Sequence, residues 1–210
     1  GKQVIGTKAP KDKDFPILIK FIDAKQSLSV QVHPDDKYAL LHEGESGKTE
    51  MWYVMDATPD ATLIYGFTHE ISHQEFERRI KDNTLLEVCN QVPIKKGDVF
   101  FIEAGTLHAI GAGALIAEIQ QSSNSTYRVY DYGRVGKDGK LRELHIEKAL
   151  AVTKLEPPTR KPEPIAKLTA FADYDLTILA QCELFNVSHF DLHGNCSLNA
   201  KKDSFHSILV

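Results

Sequence analysis

From residue 15 to residue 121 the apolar and β-branched residues come in short runs, bounded by turn formers such as Asp, Pro, Gly and Asn. The runs are 15–23 (FPILIKFID), 27–33 (SLSVQVH), 52–55 (WYVM), 62–67 (TLIYGF), 98–103 (DVFFIE) and 115–121 (LIAEIQQ). None is long enough for a core helix, and their β-branched and aromatic content favours strands. Short strands at this spacing predict a mainly β fold, an antiparallel sandwich or barrel with few helices. One helix interrupts them. Ser72-His73-Gln74-Glu75 has the Ser-x-x-Glu capping pattern, with Ile71, Phe76 and Ile80 as the expected buried stripe. A second helix is expected over 144–150 (LHIEKAL).

Four of the nine prolines (Pro157, Pro158, Pro162 and Pro164) lie within eight residues, interleaved with Lys, Arg and Glu. Such a stretch suits neither an interior helix nor a central strand. The expected division is a first domain over 1–156, a linker over 157–165, and the start of a second β unit over 166–210. Strand-like runs there are 175–180, 184–192 and 204–210. The chain opens on Gly1 and closes on a strand-like run, as a piece of a longer protein would.

Composition excludes several classes. With 25 Lys+Arg against 29 Asp+Glu, a net charge of −4 and no long basic block, neither nucleic acid nor a membrane surface is an expected partner. No apolar run approaches the roughly 20 residues that span a bilayer. Cys89, Cys182 and Cys196 form no C-x-x-C pair, which points to a reducing, cytoplasmic setting.

The residues able to do chemistry sit on or beside expected strands. Gln31 and His33 are two apart, so both face the same side of one strand. Glu50 precedes the apolar Trp52-Tyr53-Val54, and His108 follows a Gly-bounded turn in 97–108 (GDVFFIEAGTLH). Two imidazoles, a carboxylate and an amide oxygen are donors suited to a divalent metal such as zinc. Lys20 interrupts an apolar run, and the alternation there places it with Leu18 and Ile22, opposite Ile17, Ile19 and Phe21. Arg134, in the turn 133–136 (GRVG), reads as a solvated side chain.

Four blocks, 31–36 (QVHPDD), 47–53 (GKTEMWY), 104–111 (AGTLHAIG) and 118–131 (EIQQSSNSTYRVYD), resemble the type I phosphomannose isomerases of the short bacterial kind, also called mannose-6-phosphate isomerases. The likeness runs from about residue 15 to 152. It implies a cupin fold, a jelly-roll antiparallel β-barrel with one zinc ion inside, and a zinc-binding domain over 1–156. Carried over residue by residue, it implies Gln31, His33, Glu50 and His108 as zinc ligands, Arg128 as the active-site arginine, and Lys20 and Lys48 as substrate-pocket lysines. Two positions depart from the family pattern: Glu103 stands where cupins usually have Pro, and Asn124 where many relatives have Asp.

The implied activity is interconversion of mannose 6-phosphate and fructose 6-phosphate, in which a proton moves between C1 and C2 through an enediol. That makes a small sugar phosphate the expected partner. Two other classes fit parts of the pattern. Two His and one Glu also describe a non-haem iron oxygenase, although Gln31 would fill a position such an enzyme keeps open. A non-catalytic sugar-binding cupin would not require Arg128 and both lysines around a complete ligand set.

Overall fold

The computed structural model describes residues 2–8, 15–136 and 138–210. In chain order it comprises α1 (Lys2–Ile5), β1 (Ile17–Asp23), β2 (Val30–Val32), α2 (Asp36–His42), β3 (Glu50–Ala57) and β4 (Thr62–Phe67). Then come α3 (His73–Lys81), a 3-10 turn (Leu85–Glu87), β5 (Cys89–Pro93), β6 (Val99–Ile102), β7 (His108–Ile110), β8 (Ala114–Gln121), β9 (Tyr127–Tyr130) and α4 (Ile146–Val152). The last strands are β10 (Thr169–Ala170), β11 (Tyr174–Gln181) and β12 (Asn186–Leu192). The described residues fall into two compact units, Ile19–Glu163 and a second drawn from 1–18 and 164–210.

The larger unit holds two antiparallel sheets, ordered β1-β8-β3-β6 and β5-β4-β7-β2-β9. The expected mainly β, cupin-type barrel is what the chain forms. Between the sheets lies one apolar cluster, to which β3 and β8 give Trp52, Val54 and Ile116, β6 gives Phe100 and Ile102, and β4 and β7 give Leu63, Tyr65 and Ile110. The other face of the five-stranded sheet carries Val30, Val32, Ile64, Phe67, Tyr127 and Val129, packed with Phe76, Ile80 and Ala149 of the helices. Strand side chains alternate between faces, so putting Val30 and Val32 under the helices sends Gln31 and His33 into the barrel. Gly66 corrects the parity of β4. Its φ of +68° sits at a register shift between Ile64 and Phe67, so Phe67 returns to the helical side with Ile64. A Cβ there would lie 2.4 Å from the Pro158 ring.

Local signals and structure agree over α3. Ser72 is its N-cap and accepts the Glu75 N–H at 3.1 Å, while Ile71, Phe76 and Ile80 are all buried. Three expectations are corrected. The run 27–33 is a strand only over Val30–Val32, since Pro34 cannot continue a ladder. α2 went unread because it is short and buries only Ala39, with Leu40 and Leu41 exposed, so it shows no amphipathic stripe; Asp35 caps it by accepting the Tyr38 N–H at 2.8 Å. The run 204–210 has β propensity but no ladder in the structure and is irregular.

In the second unit, β10, β11 and β12 form an antiparallel sheet around buried Leu179, Ala180 and Phe185. The N-terminal segment joins this unit through Thr7 and Lys8, whose amides donate to the carbonyls of Lys202 and Asp203 at 3.0 and 3.2 Å.

Candidate metal centre and active site

The barrel interior changes character along its strands. Toward one end β3, β7 and β8 present Val54, Ile110 and Ile116; toward the other the same strands present Glu50, His108, Glu118 and Gln120. Trp52 lies at the junction. Its ring stands edge-on to His108 at 5.3 Å between centroids, and its Nε1–H donates to Glu118 Oε2 at 3.1 Å.

Strand pairing assembles the polar end from distant sequence. Gln31 pairs with His108 on one side and Arg128 on the other, and Glu50 pairs with Gln120. A backbone clasp ties the two histidine loops: the Gly105 N–H donates to the His33 carbonyl at 2.8 Å. Gly105 has a φ of +86°, and a Cβ there would meet the Val152 carbonyl at 2.8 Å, so this turn requires glycine.

His33, Glu50 and His108 are essentially inaccessible to solvent, and one ligand atom from each lies within 4.8 Å of the others. His33 Nδ1 is 2.9 Å from the Ser125 carbonyl and His108 Nδ1 is 2.8 Å from the Thr106 carbonyl. A carbonyl has no proton to give, so each Nδ1 carries the hydrogen and each Nε2 is a bare lone pair. Those two Nε2 atoms face each other at 3.1 Å. Each is 3.5 Å from a Glu50 oxygen, and neither Glu50 oxygen has a hydrogen-bond partner. Three converging acceptors with no proton between them fit a cation. Burial lowers the His33 pKa well below its usual value and brings His108 down to about 4, so both rings stay neutral and able to ligate. Burial also raises the Glu50 pKa, to about 7, opposed chiefly by Lys48.

The remaining expected residues surround this group. Gln31 places its amide Nε2 3.4 Å from His108 Nε2. Lys48 is buried with Nζ 3.3 Å from Glu50 Oε2. Lys20 donates to Glu118 Oε1 at 2.9 Å and also to Gln120 Oε1. Glu118 and Gln120 were missed in the sequence, where they read only as part of a strand; polar residues at alternate positions of an apolar run were the available signal. The alternation expected for 15–22 is broken, because inward parity shifts after Ile19. Lys20 and Ile22 are partly buried while Phe21 is 59 % exposed. Arg128 is half-buried: its Nη1–H donates to the Glu143 carbonyl at 3.0 Å, and its Nε has no partner.

Arg134 is not the solvated side chain expected. It bonds the buried Asp131 carboxylate and donates through Nη1 to the Ser27 carbonyl at 2.8 Å, while Arg142 grips the same carboxylate with two bonds of 2.6 Å. Arg134→Ala should therefore lower stability by about 1–2 kcal/mol, read by denaturant titration. A change near zero would mean Arg142 alone satisfies Asp131. Glu103 bonds Lys154 at 2.9 Å, and Asn124 donates its backbone N–H to Glu45 at 3.1 Å.

Two antiparallel sheets closing over a buried His-Glu-His group define a cupin-type barrel with a candidate metal centre. Residues 2–61 match the family described as phosphomannose isomerase type I, catalytic domain. Over 189 residues the chain is 43% identical to mannose-6-phosphate isomerase ManA of Bacillus subtilis, and 41% identical to mannose-6-phosphate isomerase of Streptococcus mutans. Each alignment takes in 90% of this chain and 59% or 58% of the relative, so the chain spans about three fifths of their length. The crystal structure of mannose 6-phosphate isomerase from B. subtilis superposes with a TM-score of 0.80 at 38% identity, over 87% of this chain and 58% of that one. Over most of its length the chain is similar, in sequence and in fold, to type I phosphomannose isomerases.

Proposed function

We propose that the protein belongs to a zinc-dependent aldose–ketose isomerase that interconverts mannose 6-phosphate and fructose 6-phosphate. The observation that carries this reading is the convergence of two deprotonated Nε2 atoms and a Glu50 carboxylate that has no hydrogen-bond partner inside the barrel. His33, Glu50 and His108 are the ligands, with Gln31 as the fourth once its amide turns its oxygen inward. Two nitrogens and two oxygens suit zinc. A cation held there supplies a Lewis acid for the negative charge that develops on a substrate oxygen.

The other steps fall to side chains around that group. The reaction moves a proton between C1 and C2, so a basic atom must reach both carbons. Lys20 is the candidate for this transfer or for ring opening, its Nζ held in place by Glu118 and Gln120. Arg128 leaves Nε uncommitted on the strand face beside Gln31, and its planar fork suits a phosphate or a developing oxyanion. Lys48, paired with Glu50, adds positive charge deeper in the site. The apolar end of the barrel behind Trp52 limits water there, which strengthens these interactions. The unit Ile19–Glu163 carries all of these residues. A family of this activity acts in carbohydrate metabolism, and a reducing cytoplasm suits three free thiols.

The test is a coupled assay that follows fructose 6-phosphate formed from mannose 6-phosphate by the 210-residue protein. Turnover that is abolished by chelator and restored by zinc is the expected result. Iron-dependent oxygen consumption without isomerisation would favour the oxygenase reading instead. Binding of sugar phosphate with no turnover would make the barrel a binding module.

A further inference from the structure

Resting on the metal reading above, we propose that Glu45 is a positioning residue for the metal centre, acting on His33 through the turn that joins β8 to β9. Glu45 lies between α2 and β3 and touches none of the ligand side chains. Its Oε1 accepts the Ser125 Oγ–H at 2.6 Å and its Oε2 accepts the Asn124 backbone N–H at 3.1 Å. The carbonyl of that same Ser125 accepts the His33 Nδ1–H at 2.9 Å. One carboxylate thus grips two consecutive residues of the turn whose next polar atom fixes the tautomer and tilt of His33.

The turn is braced from the barrel side as well. Gln120 Nε2 donates to the Gln121 and Ser123 carbonyls at 2.7 and 3.1 Å, and the Ser125 N–H donates to Ser123 Oγ at 3.2 Å. Those bonds hold the start of the turn. Glu45 holds its far end, where the carbonyl that His33 needs is located. A histidine ligand depends on its outer hydrogen bond for orientation and basicity, so slack in that carbonyl reaches the metal.

Glu43 provides an internal control. It lies two residues away and binds the Tyr127 hydroxyl and Lys148 Nζ, both at 2.7 Å, without touching residues 123–125. A general contribution of this loop to folding would make the two positions equivalent.

The experiment measures Zn2+ affinity by chelator competition for the parent protein, Glu45→Ala, Glu45→Gln and Glu43→Ala, with fold checked by circular dichroism. Glu45→Ala should weaken zinc binding about tenfold, the lower range for an outer partner of a ligating histidine. Glu45→Gln, which keeps one acceptor oxygen, should lose less, and it carries the test if the alanine variant fails to fold. Glu43→Ala should bind zinc as the parent does. The His33 Nδ1–H proton resonance should exchange faster with water in Glu45→Ala and remain unchanged in Glu43→Ala. Equal zinc affinity in the Glu45 variants and the parent would overturn the proposal while leaving the metal centre standing. Equal losses at Glu45 and Glu43 would also overturn it, by assigning the effect to the loop. A parent protein that binds no zinc would overturn both readings.

Discussion

Changing His33 or His108 to alanine should weaken binding of a divalent ion by more than about 100-fold, beyond the range for losing an outer-shell partner alone. The barrel itself should stay folded. The reason is the electrostatics of the metal-free group. Two Nε2 atoms 3.1 Å apart and a carboxylate without a hydrogen-bond partner are buried together, with only the Gln31 amide at 3.4 Å from His108 and the Lys48 ammonium at 3.3 Å from Glu50 to offset their desolvation. Such a group contributes little polar stabilisation until a cation arrives, so each alanine variant loses mainly the packing of one buried ring, a cost of about 2–4 kcal/mol. Metal affinity and metal-free stability should therefore separate. Elemental analysis and denaturant titration of the same variants read the two quantities. Full metal occupancy in both variants would remove His33 and His108 from the ligand set.

Arg128→Lys is expected to reduce kcat/KM for mannose 6-phosphate by two to three orders of magnitude, by analogy with roughly 3 kcal/mol for a lost oxyanion donor. Bound zinc should be unchanged, because the guanidinium contacts no ligand atom and is anchored elsewhere, on the Glu143 carbonyl at 3.0 Å. The His145 ring nitrogen accepts the Arg128 backbone N–H at 3.1 Å, and the His145 N–H donates back to the Arg128 carbonyl at 2.8 Å, so the strand should hold its position. A lysine has one nitrogen to serve both anchor and substrate, whereas arginine can spend Nη1 on the Glu143 carbonyl and keep the rest of its planar fork. Near-full turnover with zinc bound would move the phosphate or transition-state role to Lys20 or Lys48.

The residues differ in how far the sequence revealed them. Gln31 and His33 could be placed on one face because a strand has a period of two, and Val30 and Val32 mark the opposite, helix-covered face. Ser72 and its buried stripe were equally local. What brings Glu50 and His108 to that face is sheet order, β3 in one sheet and β7 beside β2 in the other. Pairing between strands about 70 residues apart leaves no local signature, so those two could be picked out as donors from their local runs but were joined to Gln31 and His33 as one ligand set by the family resemblance. Lys20 shows a different limit: its inward position depends on a parity shift within β1 that strict alternation does not anticipate. Arg134 looked like an ordinary turn residue because Asp131 lies only three positions away, and nothing in the local pattern tells that this carboxylate is buried. The strand reading of 204–210 failed for the converse reason, since propensity makes a strand only where a ladder partner exists.

The most direct test of the central claim is to strip the protein of metal with chelator and add zinc back in measured steps, following isomerisation of mannose 6-phosphate at each step. Activity should be absent in the stripped protein and rise linearly to a break at one zinc per chain, and His33→Ala should show no such rise. Full activity in protein shown by elemental analysis to be metal-free would contradict the assignment of His33, Glu50 and His108 as the catalytic metal centre.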